Sequence, residues 1–308
     1  MAVAEARGRE AQLAHAYLVC RGIARESARN FYYAFLVLPH EKRNALSAVY
    51  AFMRHSDDIA DDENISAEEK RRKLAEWSDH MHRVFAGEVT DDPVLFALAD
   101  AREKFGISVD LLDKLVQGTA MDAEQPVSAG PVALYRNFEE LQNYCYHVAS
   151  VVGLICIKVF GYKDAAAEPL AERCGLAFQL TNIIRDVRED ALMGRVYLPA
   201  EDLVRFERSP AELSPQALGN GFDASRFRPV LELEAQRARE FYRAADKLIP
   251  LIDMDCRTAL WVLIEIYRRL LEKIAAGGFN VFGPKIRLTM LEKLRVVAAG
   301  LWRSVVHG

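Results

Sequence analysis

From Glu41 to Ala60 the residues Leu46, Val49, Tyr50 and Met53 recur at i, i+3, i+4 and i+7, the stripe of an amphipathic helix. The same period dominates the rest of the chain, and no convincing alternating strand interrupts it. A chain patterned this way must bury its apolar stripes helix against helix, so the expected class is all-α. Punctuation agrees. Ser66 and Glu69 have the spacing of a capping box, Asp92-Pro93 and Ser108 open helices, and Gly87 and Gly106 close them. Phe138–Phe160 and Pro169–Asp190 are long and unusually apolar, as in helices buried on most sides. Pro, Gly and Ser between Ser209 and Pro229 predict a surface excursion with a short helix, and three more helices follow near 229–248, 254–276 and 287–305. With no internal repeat, residues 1–308 are expected to form a single-domain helical bundle of about ten helices or more.

Size and charge narrow the function. A compact chain of this length buries about 75% of its unfolded surface, enough to hold a central cavity. A net charge of −4 leaves no electrostatic footprint for nucleic acid. The five cysteines form no C-x-x-C pair and read as reduced thiols of a cytoplasmic protein. Charges in MAVAEARGRE argue against a signal peptide, and the apolar stretch Val148–Ile157 is shorter than the roughly 20 residues a spanning helix needs. No transmembrane segment is expected. Peripheral membrane contact is left open, through a patch formed by Phe279 and Phe282 in the GGFNVFG stretch.

Two acidic clusters carry the chemistry. In the first, Asp57, Asp58, Asp61 and Asp62 follow Arg54, and Asp57 and Asp61 share a helix face with Tyr50 and Arg54. Like charges one turn apart repel, so a cation there would relieve the helix. In the second, Asn182, Asp186 and Asp190 stand at i, i+4 and i+8, beside Arg185, Arg188 and Arg195. Hard oxygen ligands suit magnesium, which bridges to phosphate oxygens, and arginine forks suit phosphate. Either cluster alone also reads as a solvated acidic helix or a salt-bridge network. Together, two one-faced stripes flanked by arginine can grip a magnesium–diphosphate across a cavity. Ionisation of an allylic carbon–oxygen bond then becomes feasible above an apolar pocket that shelters the cation. A di-iron bundle would need Glu-x-x-His pairs, which are absent, and a non-catalytic helical binding protein has no reason to hold both stripes.

The stretches SARNFYYAFLVLPHEKRNALSAVYAFMRHSDDIADD, YCYHVASVVG and QLTNIIRDVREDALMGRVYLP resemble, in order and spacing, the signatures of the squalene/phytoene synthase family. The resemblance implies a class I isoprenoid synthase-like bundle and a magnesium-dependent prenyltransferase that joins two prenyl diphosphates head to head. By it, Asp57, Asp58, Asp61 and Asp62 form the first metal site, and Asn182, Asp186 and Asp190 the second. Arg54, Arg185 and Arg195 match positions that hold diphosphate, Tyr144 one that steers the cation or its proton loss, and Gln179 and Tyr197 pocket positions. Tyr50, Phe31 and Phe35 are expected to line the cavity. Where the family often has paired serines this chain has Ala28 and Asn30; Asn30 can still donate to phosphate. His55 and His147 read as ordinary polar residues. The favoured substrate is farnesyl diphosphate, giving presqualene diphosphate and then squalene or dehydrosqualene, on the argument that Phe35 caps a tunnel. The alternative is geranylgeranyl diphosphate giving phytoene, for which the small Ser47 leaves room. NADPH is implied only if squalene is the product.

Overall fold

A computed structural model describes residues 2–123, 130–219 and 221–307. Its helices are α1 (Ala2–Ser27), α2 (Arg29–Phe35), α3 (His40–Asp61), α4 (Ala67–Phe85), α5 (Pro93–Phe105), α6 (Val109–Ala123), α7 (Phe138–Cys145), α8 (Val151–Phe160), α9 (Ala167–Leu192), α10 (Ala200–Arg205), α11 (Arg228–Leu248), α12 (Met254–Ala276) and α13 (Met290–His307). The predicted ends hold for physical reasons. The Ser66 hydroxyl accepts from the Glu69 amide, and the Asp92 carboxylate accepts from the Val94 and Leu95 amides. Gly106 takes the left-handed conformation that ends α5, with φ of 62°. The excursion after Ser209 carries two short 3-10 turns, Pro210–Leu213 and Ala224–Phe227.

Two features depart from the expected pattern. A short parallel pair, β1 (Val132–Ala133) with β2 (Arg195–Val196), ties the segment before α7 to the turn after α9. The apolar Phe138–Phe160 stretch is not one α-helix: between α7 and α8 it widens into a π turn over Tyr146–Ser150. Sequence period cannot separate the two windings, but the packing explains where the widening is used. Gly118 of α6 lies against the His147 carbonyl, and Gly175 of α9 against the backbone of Ala149 and Ser150. A methyl at Gly175 would stand 2.6 Å from the Ala149 oxygen, so only glycine permits this approach. The Ser150 hydroxyl also donates to the Glu172 carbonyl at 2.8 Å. By length and composition Phe138–Phe160 could cross a bilayer, but 56% of its apolar window is buried inside the fold, where α6 and α9 pack on it.

The bundle wraps a long hydrophobic core. Helix α3 packs against α1, α5 and α6; α9 lies along α11 and the π turn; α12 joins α9 to α2 and α13. The innermost faces of α3, α6, α7–α8, α9 and α12 do not close fully. They leave a cavity of about 330 Å³.

Candidate active site

The cavity wall is mostly apolar: Phe31, Met53, Leu115, Val152, Phe178 and Leu263 are among its side chains. Its polar members come from both acidic stripes and the YCYHVASVVG stretch. Asp57 of α3, Asn182 and Gln179 of α9, and Tyr144 of α7 face the same space. Asp57 of α3 and Asn182 of α9 thus share one cavity, which Asp61, Asp186 and Asp190 do not line. Thr119 of α6 donates to the Asp57 carboxylate at 3.3 Å. Cys156 and Cys174 also line the wall; burial pushes the Cys156 thiol up to about 12, so it stays protonated.

A second, cationic space of about 260 Å³ adjoins the first and shares Phe31, Asn182 and Tyr267 with it. Asn30, Tyr50 and Arg185 line it, together with Lys285, Arg287 and Lys293. Arg185 grips Asp186, with its Nε 2.7 Å from a carboxylate oxygen, and Lys285 reaches the same carboxylate at 2.6 Å. Burial pushes the Asp186 carboxyl up, but the two cations outweigh it and hold it below the usual carboxylate range. Tyr267 is buried where the spaces meet. It lines both spaces together with Asn182, and its ring stacks on Phe178 with centroids 4.4 Å apart. Asn30, which departs from the family's usual serine, lines the cationic space beside Tyr267.

Tyr144 is buried in a triangular cluster of three rings, its centroid 5.3 Å from Tyr135 and 5.3 Å from Tyr197, which themselves lie 6.3 Å apart. The β1–β2 pair makes this possible by fastening the segment that carries Tyr135 beside the one that carries Tyr197.

Other predicted residues sit further out. Asp58 is exposed and pairs with Arg54. Asp61 is exposed at the end of α3, and Asp62 caps that end by accepting from the Asn64 amide at 2.9 Å. Asp190 and Arg195 line one narrow crevice with Tyr197, beside the ring cluster rather than in the cationic space. Phe35 is a correction. It does not line the cavity; with Ser47, Tyr32 and Arg43 it faces a separate groove among α1, α2 and α3. Phe31 and Phe35 are one turn apart on α2 and their rings meet edge to face with centroids 6.4 Å apart; Phe31 also meets the Tyr267 ring at 6.0 Å, while Phe35 lies on the groove side. The GGFNVFG patch is a second correction. Phe279 is buried, and Phe282 packs on Phe222 and Phe227, which the excursion supplies. The sequence reading missed Tyr135, Lys285, Arg287 and Lys293. All but Lys293 lie outside helices, where no periodicity marks them.

Comparison with known proteins gives this geometry a family. The squalene/phytoene synthase family pattern matches residues 24–292. The chain belongs to the squalene/phytoene synthase family. It is 37% identical to the phytoene synthase of Mycobacterium tuberculosis over 298 residues, covering 96% of this chain and 94% of that one. It is 33% identical to the 15-cis-phytoene synthase of Synechocystis, covering 96% and 87%. Among solved structures, a dehydrosqualene synthase in complex with ligand superposes with a TM-score of 0.83 at 28% identity, over 97% of this chain and all of that one. The fold is therefore the helical isoprenoid synthase fold, and the chain is an enzyme of the head-to-head prenyl diphosphate condensing family.

Among the described residues, no three His, Cys, Asp or Glu side chains converge into a ready metal cage. The oxygen donors fit magnesium nonetheless. That ion prefers one or two carboxylates completed by water and substrate phosphate, and Asp57 and Asn182 present oxygens to one cavity next to a cationic space.

Proposed function

We propose that this protein is a phytoene synthase that joins two molecules of geranylgeranyl diphosphate, 1′–1, with magnesium as the metal. The observation that carries the choice of substrate is the set of curated relatives, phytoene synthases at 37% and 33% identity over nearly the whole chain. The farnesyl reading rested on Phe35 closing the tunnel, and Phe35 faces another groove. Ser47, read as leaving room for the longer substrate, faces the same groove, so neither size argument decides between the two.

In the first half-reaction an allylic carbon–oxygen bond breaks and diphosphate leaves with the electron pair. The second substrate's double bond attacks the cation, and proton loss closes a cyclopropylcarbinyl diphosphate. In the second half, the remaining diphosphate leaves, the ring reopens to join the two terminal carbons, and another proton is lost to give the open chain. No reductant is consumed; NADPH would enter only on the farnesyl route to squalene.

The chain's own groups are placed for this. Arg185, Lys285, Arg287 and Lys293 offer positive charge where diphosphate must sit, and Asn30 and Asn182 offer amide donors beside them. The apolar wall keeps water from the cation. Tyr144 lines the cavity, its ring packed against Tyr135 and Tyr197. Magnesium, held by Asp57, Asp61, Asn182, Asp186 and Asp190 with the diphosphate oxygens, would neutralise the leaving group's charge.

The test is incubation of purified protein and magnesium with each diphosphate, with and without NADPH, followed by mass spectrometry of the extract. Phytoene from geranylgeranyl diphosphate without NADPH is expected. Squalene or dehydrosqualene from farnesyl diphosphate, with geranylgeranyl diphosphate untouched, would refute it.

A further inference from the structure

The cavity has a deep end, and two helices measure its distance from the polar end independently. Along α7 and α8 the lining runs from Tyr144 through Val148, Val152 and Cys156 to Phe160. Those sixteen residue steps, at about 1.5 Å each, span roughly 24 Å. On α3, Asp57 lines the polar end, and Lys42 stands fifteen residues earlier, roughly 22 Å away. The Lys42 ammonium donates to the Phe160 carbonyl at 2.9 Å, so both helices reach the same deep end. An extended chain advances about 1.2 Å per bond, so a tail of four isoprene units spans roughly 19 Å and one of five roughly 24 Å. Four units fit above Phe160, and a fifth meets its ring.

That end is pinned from outside the cavity. Helix α8 stops at Phe160, where the last carbonyls have no partner within the helix. Lys42 brings a donor and a positive charge to this C-terminus, and it also binds the Asp255 carboxylate, in the first turn of α12, at 2.8 Å. Each charge complements the helix end it meets. The backbone is tied as well, since the Asp253 amide donates to the Gly161 carbonyl at 2.9 Å. Gly161 has φ of 82°, and a methyl there would collide with the Asp253 carboxylate. Lys42, Asp253, Asp255 and Gly161 do not line the cavity. Their effect on it passes through Phe160.

We propose that Phe160, fixed in place by Lys42, is the stop that sets the longest prenyl tail this enzyme accepts. Phe160 is the specificity-determining side chain, and Lys42 is a positioning residue that acts through it. The inference rests on the proposed prenyl diphosphate reading and deepens it, naming the side chain against which a fifth isoprene unit collides.

The test follows turnover of the full chain with magnesium on farnesyl, geranylgeranyl and geranylfarnesyl diphosphates, with products identified by mass spectrometry. Wild type should leave the five-unit substrate unused. Phe160→Ala should convert it, raising the ratio of kcat/KM for five units over four by roughly tenfold or more. Phe160→Leu should move the ratio the same way by less. Lys42→Met should also raise it, through a lower KM for the longer substrate, and Lys42→Arg, which keeps the donor and the charge, should restore the wild-type profile. Leu98→Ala, in the buried core of α5 and outside the cavity lining, should lower the melting temperature without moving the ratio. The proposal is overturned if wild type already converts five units, or if both Phe160 variants keep its length profile. A Leu98→Ala shift as large as that of Lys42→Met would overturn the role of Lys42, because general loosening would then account for it. A wild type that uses farnesyl diphosphate alone would refute the substrate proposed above, and the stop would then stand or fall on whether Phe160→Ala accepts a longer tail than wild type.

Discussion

Replacing Gly175 by alanine tests whether the close contact between α9 and the π turn shapes the active site. The new methyl would lie 2.6 Å from the Ala149 oxygen and 2.7 Å from both the Ala149 carbonyl carbon and the Ser150 Cα. Ordinary contact starts near 3.4 Å, so the two backbones must part by about 0.8 Å. No side chain can rotate aside, which places the cost at the upper end of the roughly 1–3 kcal/mol for overpacking. Alanine's better helix propensity returns up to about 1 kcal/mol. The net loss is about 2 kcal/mol, or roughly 3 °C in melting temperature for a chain of this size. The larger effect should be on turnover. Val148 and Ala149 of the π turn line the cavity, and Tyr144 stands two residues before it. A displacement near 1 Å at a reacting centre costs on the order of 10²-fold in rate. Calorimetry and steady-state kinetics measure both. The control is Gly22→Ala on α1, where nothing lies within 4 Å of the new methyl and stability should hold or rise. A Gly175→Ala enzyme that melts with wild type and turns over normally would show that this contact is slack and that the π turn owes nothing to it.

Asp57→Ala and Asp186→Ala should both abolish turnover, but they should part in stability. Removing Asp57 leaves the melting temperature of the metal-free protein nearly unchanged, whereas removing Asp186 strands Arg185 and Lys285 and costs roughly 1.5–3 kcal/mol; equal melting of the two would refute the charge balance described above. Tyr144→Phe should lower kcat far more than it raises KM, as expected of a hydroxyl that acts in the transition state; a change confined to KM would return Tyr144 to the role of a wall residue. Glu234 is wholly buried with Asp202 and Arg237, and its carboxyl is pushed up to about 8, chiefly by burial and despite the Arg237 guanidinium. Its protonated form is the one the fold favours, so this contribution is full below the unfolded value near 4.5 and is lost as pH rises through about 8. Denaturant titrations from pH 5 to pH 9 should show wild type losing stability over that window and Glu234→Gln losing less; parallel profiles would contradict it.

What the sequence revealed and what it hid divide along one physical line. Asp57 and Asn182 could be placed at a common cavity because each sits in a long amphipathic helix, where spacing dictates the face. Residues on irregular segments carry no such period. Lys285 and Arg287 lie between α12 and α13, and Tyr135 lies before α7, so only tertiary structure reveals that the first two meet Asp186 and Arg185 and the third stacks on Tyr144. Even within helices, period fixes a face and not a neighbour. Phe31 and Phe35 are one turn apart on α2, yet because α2 is only seven residues long and covered on both sides, they end in different cavities. The GGFNVFG turn erred for the same reason, since the partners that bury Phe282 come from a loop more than fifty residues upstream.

The same line explains how the chemistry is shared between helix and loop. A one-faced acidic stripe on a helix is readily specified by spacing, but its repulsion has to be balanced by charge arriving from elsewhere. Here Asp186 takes one cation from its own helix and one from the segment leading to α13. A divalent ion competing for that carboxylate would have to displace or share Lys285, and the freed ammonium would then lie within the space proposed to lodge diphosphate. Under the proposed function, binding of metal and binding of diphosphate would be coupled through one side chain. Lys285→Met should loosen the coupling: magnesium alone should bind Asp186 more readily, and magnesium with inorganic diphosphate less cooperatively, both measurable by calorimetric titration. If the variant's two isotherms match those of wild type, Lys285 plays no part in the exchange.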